Sequence, residues 1–294
     1  PYDGTDSTAV DIALNGDSLA ILQGYSGADG VYTHEVLFYQ RSNGDWIPGE
    51  ALPYRHDTNT SVWPKKSLDM STDTLIAGIA NSSDSEAALV SIYGKTEAGW
   101  QNMTDIHGDG NQYFGISVAI TDDFAAISSP VGDDPEDDNK VLIYRQYGTT
   151  WALQQILRSP ETPWFGTQVA IDGSSMMVSS IAGGVWFYEF IDGSWIETQS
   201  FESGLDDAPL AGSVDLTGDV AIAGGYWAND QDIAQIFRRD NGVWVLEAAL
   251  ESLFEPTDDI AGLGGKVKIE GNLAIASSGR QTQTESIRRV HVFE

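Results

Sequence analysis

Residues 132–139 read Gly-Asp-Asp-Pro-Glu-Asp-Asp-Asn, and residues 105–111 read Asp-Ile-His-Gly-Asp-Gly-Asn. Asp133, Asp134, Asp137, Asp138, Asp105 and Asp109 thus set hard carboxylate oxygens close together along the chain. Calcium takes roughly six to eight such oxygens, so Ca2+ is the one cofactor these stretches bring forward; a solvated acidic loop is the alternative. Trp63, Trp164 and Trp227 fall between apolar segments, where an exposed aromatic face suits ligand contact. Asn59, Asn81 and Asn102 each begin an Asn-x-Ser/Thr sequon and are candidate glycosylation sites.

Sequential catalytic signatures are missing. His34, His56, His107 and His291 are scattered, with no His-x-x-x-His or His-Glu-x-x-His spacing. No Gly-x-Ser-x-Gly elbow occurs, and Gly94-Lys95-Thr96 has Leu89 where a phosphate loop needs its leading glycine. Carboxylate pairs fit for glycoside cleavage can meet across repeats, but such a pair is spatial and leaves no spacing to read.

The formal charge is −29, from 44 acidic and 15 basic residues. A surface so acidic is unfit for phosphate contact, which argues against nucleic acid and anionic membranes as partners. Membrane insertion is not expected either, because no apolar run approaches the roughly 18 residues of a span. With no cysteine, disulfide and thiol chemistry are excluded. The opening Pro1-Tyr2-Asp3-Gly4 has neither a basic end nor an apolar stretch. Either the chain is cytosolic or a leader was removed before Pro1, and the sequons favour the second, a secreted or cell-surface protein.

The elements that must position these groups are written in a repeat. An aromatic residue is followed seven positions later by tryptophan at Tyr39/Trp46, Tyr93/Trp100, Tyr144/Trp151, Tyr188/Trp195 and Phe237/Trp244. The tryptophans lie 54, 51, 44 and 49 residues apart, the signature of stacked supersecondary units. Each copy has two short apolar segments around a tight turn such as Asn15-Gly16, Asp172-Gly173 or Glu270-Gly271. A third segment ends in the aromatic residue, a second glycine turn follows, and the tryptophan opens a fourth.

Four antiparallel strands per copy, without a sustained 3.6-residue period, predict an all-β fold: a β-propeller of six four-stranded blades. The blades run approximately 8–54, 62–106, 112–158, 163–202, 208–251 and 261–294, in one domain. The periodic tryptophans are expected to pack between blades. The sixth copy stops after its third strand, so residues 1–7 are expected to supply its outer strand, unless the blade is incomplete.

Phe114-Gly115-Ile-Ser-Val-Ala-Ile-Thr-Asp-Asp, followed by Ile127-Ser-Ser-Pro130 and Val141-Leu-Ile-Tyr144, resembles an FG-GAP repeat, the blade unit of integrin-α-type propellers. Phe165-Gly166 repeats the opening dipeptide. Leu210-Ala211 and Leu263-Gly264 stand in its place in the last two copies, while Thr8-Ala9 and Pro64-Lys65 depart from it. The resemblance implies an extracellular propeller used for adhesion or ligand binding, with no catalytic set. It also implies calcium loops of Asp-x-Asp-x-Asp-Gly type, but turns such as Thr121-Asp122-Asp123 are too short for them.

The expectation is therefore a non-enzymatic module that recognises a protein or glycan through its long-loop face. A structural subunit of a larger assembly and a hydrolase with carboxylates at the central channel are the alternatives.

Overall fold

Two-residue glycine turns between alternating apolar segments produce short antiparallel ladders throughout the computed structural model. It describes residues 7–26, 32–57, 65–80, 88–108, 110–131, 138–159, 162–202, 212–225, 233–251, 260–281 and 286–294. Blade four shows the pattern. Its strands are Phe165–Asp172, Ser175–Ser180, Gly184–Ile191 and Ser194–Glu202, paired in chain order. Gly173 (φ 57°) turns the first hairpin, and Asp192 (φ 49°) with Gly193 (φ 86°) turns the third. Two successive left-handed residues twist the turn in the sense the flanking strands need.

Five sheets of this kind have four strands, and the sixth has three: Ile260–Glu270, Leu273–Gln281 and Ser286–Phe293. The fold is all-β, six antiparallel blades arranged as a propeller, with no helix among the described residues. Ser7 pairs with Tyr25 in the first blade, so it is not part of an outer strand for the sixth. Residues 1–6 lie outside the described residues.

The chain divides into two compact units, Pro1–Ser129 with Leu142–Gln154, and Pro130–Val141 with Gln155–Glu294. In the first unit, Val36 and Phe38 of blade one pack against Leu68, Met70 and Trp100 of blade two. Val90 and Ile92 of blade two do the same against Val118, Ile120 and Trp151 of blade three. In the second unit, Val185 and Phe187 of blade four meet Val214, Leu216 and Trp244 of blade five. Val220, Ile222 and Ala234 of blade five then meet Val267 and Ile269 of blade six.

The core is thus a series of inter-blade layers. Each joins the inner strands of one blade to the first and second strands of the next, with the next blade's tryptophan where present. Phe38 stacks on Trp100 at 5.0 Å, and Phe187 on Trp244 at 4.4 Å. Trp100, Trp151 and Trp244 pack between blades, as the repeat implied, and Trp195 is buried, whereas Trp46 is exposed.

Polar side chains tie the same junctions. Asp11 accepts from the Leu68 amide, Asp69 from Ile120 and Asp215 from Ile269, each at 2.8–2.9 Å. In the outer strands of blades one, three and four the residue four after the tryptophan reaches forward to the next tryptophan. Glu50 accepts from Trp100 N, Gln155 from Trp195 N and Gln199 from Trp244 N. Both glutamine amides also donate to the carbonyl of the tryptophan they hold.

Candidate functional site

Of the residues singled out in the sequence, Trp63, Trp227, Asp109, Asp133, Asp134, Asp137, Asn59 and Asn81 lie outside the described residues. Trp164 is half-buried in the turn before blade four, at φ 56°, and its carbonyl accepts from the Thr167 hydroxyl at 2.7 Å. Asn102 is exposed on a strand, not a loop, and donates to Asp105 Oδ1 at 2.8 Å. Asp105 also accepts from the buried Ser91 hydroxyl at 2.6 Å.

Asp138 is clamped between cations, with Lys140 Nζ at 2.8 Å and Arg158 Nε at 2.6 Å. Hydrogen bonds from Arg158 and then Lys140 hold its carboxyl at about 2, below the ordinary 3.8. Among the described residues no group of three or more His, Asp or Glu is placed to hold a metal ion.

A second charged network closes on itself in blades four and five. Arg239 donates to Glu189 at 2.6 Å, to Asp219 at 2.6 Å and to the Ser175 hydroxyl at 3.0 Å. Its guanidinium lies 5.4 Å from the Trp244 ring centre. Glu189 and Asp219 share one counter-ion, and Asp138 is displaced downward. A glycosidase-type acid–base pair instead needs one carboxyl raised toward neutrality. Asp138, held low, is not the raised acid of such a pair.

Sequence reasoning passed over one pair that matters. Ser278 Oγ and His291 Nε2 are 2.6 Å apart, and both side chains are buried. Ser278 lies in the second strand of blade six and His291 in the third, where Ala276 is opposite His291 and Arg289 opposite Ser278. The pair is a cross-strand diagonal. Period-two alternation puts Ser278 on the side of Ala274 and Ala276, which pack against blade five. His291 continues the same side from Phe293, with ring centres 6.2 Å apart. With its proton on Nδ1, the imidazole accepts from the hydroxyl through Nε2. A serine hydroxyl within hydrogen-bond reach of a histidine is one element of a nucleophile–base arrangement, here buried on the face that packs against blade five. The thirteen-residue separation hid the pair, and serine recurs at the Ser278 position in two other copies, as Ser129 and Ser180, so the residue itself gave no signal.

No family model matches the sequence, and no curated protein matches it. Solved structures do. A protein from Lactobacillus plantarum is 11% identical with a TM-score of 0.57, covering 97% of this chain and 88% of its own. A provisionally assigned 6-phosphogluconolactonase from Bacteroides uniformis is 10% identical with a TM-score of 0.58, covering 94% and 81%. The sialidase of Trypanosoma rangeli is 12% identical with a TM-score of 0.50, covering 98% and 55%.

At such identities the likeness is one of fold, and it defines the class: a β-propeller. It also corrects the expectation of a non-enzymatic adhesion module, because similar folds include a sialidase and provisionally assigned lactonases. That expectation rested on missing sequential motifs. A propeller draws catalytic groups from separate strands, and their spacing in the chain carries no such motif.

Proposed function

We propose that the chain is a hydrolase, with Ser278 as nucleophile and His291 as its general base. The 2.6 Å contact between Ser278 Oγ and His291 Nε2 carries this reading. The likeness to provisionally assigned lactonases supports an ester or lactone as the substrate class.

Ser278 Oγ attacks the carbonyl carbon and passes its proton to His291 Nε2. Collapse of the tetrahedral adduct breaks the C–O bond, and His291 returns the proton to the leaving oxygen. In a lactone that oxygen stays on the acyl chain. Water, deprotonated by His291, then attacks the acyl-serine and frees Ser278.

The charge of −29 disfavours a phosphorylated substrate, since an acidic surface lowers the local concentration of anions. The reading is therefore a neutral ester or lactone. A fluorophosphonate probe tests it: labelling at Ser278 is expected, with loss in Ser278→Ala and at least a hundredfold loss of turnover in His291→Gln. A folded protein that is never labelled at Ser278 contradicts it.

We also propose kinship with the FG-GAP repeats. Phe114 and Phe165 are buried, and the glycine after each has positive φ, 76° at Gly115 and 85° at Gly166. A Cβ on Gly166 would stand 2.9 Å from the Lys140 carbonyl oxygen, and one on Gly115 2.6 Å from Val90 Cγ2. Both glycines meet the third strand of the preceding blade, which gives the dipeptide a physical reason. A secreted or cell-surface location is likewise a proposal, carried by the sequons. A mass decrease on glycosidase treatment of the natural protein supports it, and an unchanged mass opposes it.

A further inference from the structure

All the sulfur of the 294 residues is in four methionines, because they contain no cysteine. Thioethers are therefore the groups on which a peroxide can act at sulfur. Met70, Met176 and Met177 are buried, at 5% exposure or less. Met103 is half-buried, on Gly99–His107, the outer strand of blade two.

Met103 stands at a bulge. The third strand of that blade is Leu89–Thr96, where Tyr93 pairs with Asn102 and Ile92 with Thr104, so the ladder skips Met103. Hydrogen bonds pin the bulge: Asn102 Nδ2 and the Ser91 hydroxyl both donate to Asp105 Oδ1, at 2.8 and 2.6 Å. The Met103 side chain packs on the layer that joins blades two and three, which includes Ile92, Val118 and Ile120. Its sulfur is seated on Gly94, where an added Cβ would stand 2.6 Å from Met103 Sδ. In blades one, three, four and five the residue at the Gly94 position is Gln40, Arg145, Glu189 or Arg238, and no methionine lies three after the tryptophan. Blade two alone joins a thioether to a glycine that makes room for it.

We propose that Met103 is a site of reversible oxidation by hydrogen peroxide, and that its oxidation loosens the junction of blades two and three. The sulfur gives a lone pair to one peroxide oxygen. The S–O bond forms as the O–O bond breaks, and the second oxygen takes the proton of the first and leaves as water. Sulfur is oxidised by two electrons, and the peroxide is reduced. The sulfoxide puts a polar group where a flexible apolar one had filled the gap between Gly94 and the layer. Methionine sulfoxide reductase restores the thioether.

Peroxide treatment of the intact chain, followed by peptide mass spectrometry and thermal melts, is the test. Met103 should take up one oxygen roughly tenfold faster than Met70, Met176 or Met177. The midpoint should fall by roughly 2–4 °C and recover with the reductase. Met103→Leu, a swap of similar volume, should fold and lose the response of the melt to peroxide. Gly94→Ala should speed uptake at Met103 severalfold, because the new Cβ takes the sulfur's place and the flexible thioether yields before the packed layer does. Uptake at a buried methionine as fast as at Met103 overturns the proposal, as does uptake at Met103 that leaves the melt unchanged. Both are read on the parent chain, so they decide the matter even where a variant does not fold.

Discussion

Gly166 has a left-handed backbone at φ 85° and a carbonyl oxygen where its Cβ would go. Gly166→Ala combines the conformational cost with an overpacking cost, together about 2 kcal/mol or more. A thermal midpoint lower by roughly 4–8 °C is expected in a melt followed by circular dichroism. Gly173→Ala is the control: it shares the positive φ, but its Cβ would meet open space. It should cost only the conformational part.

Asp138 makes a second prediction at this scale. Its folded pKa is about 2 against an ordinary 3.8, so its stabilisation is complete above pH 3.8 and lost as pH falls to about 2. The carboxylate is half exposed, which keeps the effect below about 1 kcal/mol. Asp138→Asn should therefore be less stable than the parent near pH 5 and equal to it near pH 2, by urea titration. The sequence did mark Asp138 as chemically notable. It did not show that Lys140 and Arg158 claim its oxygens, because Arg158 comes from the next strand. Ser278 and His291 were illegible for the same reason: antiparallel pairing, not chain distance, makes them neighbours.

Between blades, the outer strands are fixed by a glutamine clamp. Gln199 accepts from Trp244 N at 2.9 Å and donates to the Trp244 carbonyl, while Trp244 stacks on Phe187. Gln199→Ala removes both bonds and leaves two main-chain groups to find water, costing about 1–3 kcal/mol. Faster hydrogen exchange at the Trp244 amide is the readout, with little change at Trp100, whose partner is Glu50. Unchanged exchange at Trp244 would show that stacking alone holds the strand.

Element scale is where the sequence was most legible. Glycine turns and the aromatic–tryptophan spacing marked the hairpins and outer strands of the first five copies. The exception is Trp46, which follows the spacing yet is exposed. Spacing reports that a tryptophan starts an outer strand, not how deeply it is buried. The seven-residue interval also conceals a bulge. Pairing shifts beside Tyr39, Tyr93, Tyr188 and Phe237, adding twist where the aromatic residue leaves the ladder.

For the whole molecule, the repeat specifies the architecture and says little about the chemistry. Six copies of one pattern predict a propeller, and the inter-blade layers form as that pattern requires. The function assigned to the propeller did not follow, because this fold serves both binding and hydrolysis. Net charge acts at this scale as well. With 44 acidic and 15 basic residues, the protein should discriminate between substrates alike in their reacting carbonyl but different in charge. That preference should weaken as salt shortens the Debye length from about 30 Å at 0.01 M to about 3 Å at 1 M.

The most direct measurement is kcat/KM of the intact chain for a neutral sugar lactone and for its 6-phosphate, each repeated with Ser278→Ala. Turnover of the neutral lactone, slower turnover of the phosphate ester and loss of both in the variant are the results expected. Equal turnover in the variant, or no lactone hydrolysis by a folded protein, contradicts the assignment of Ser278 and His291.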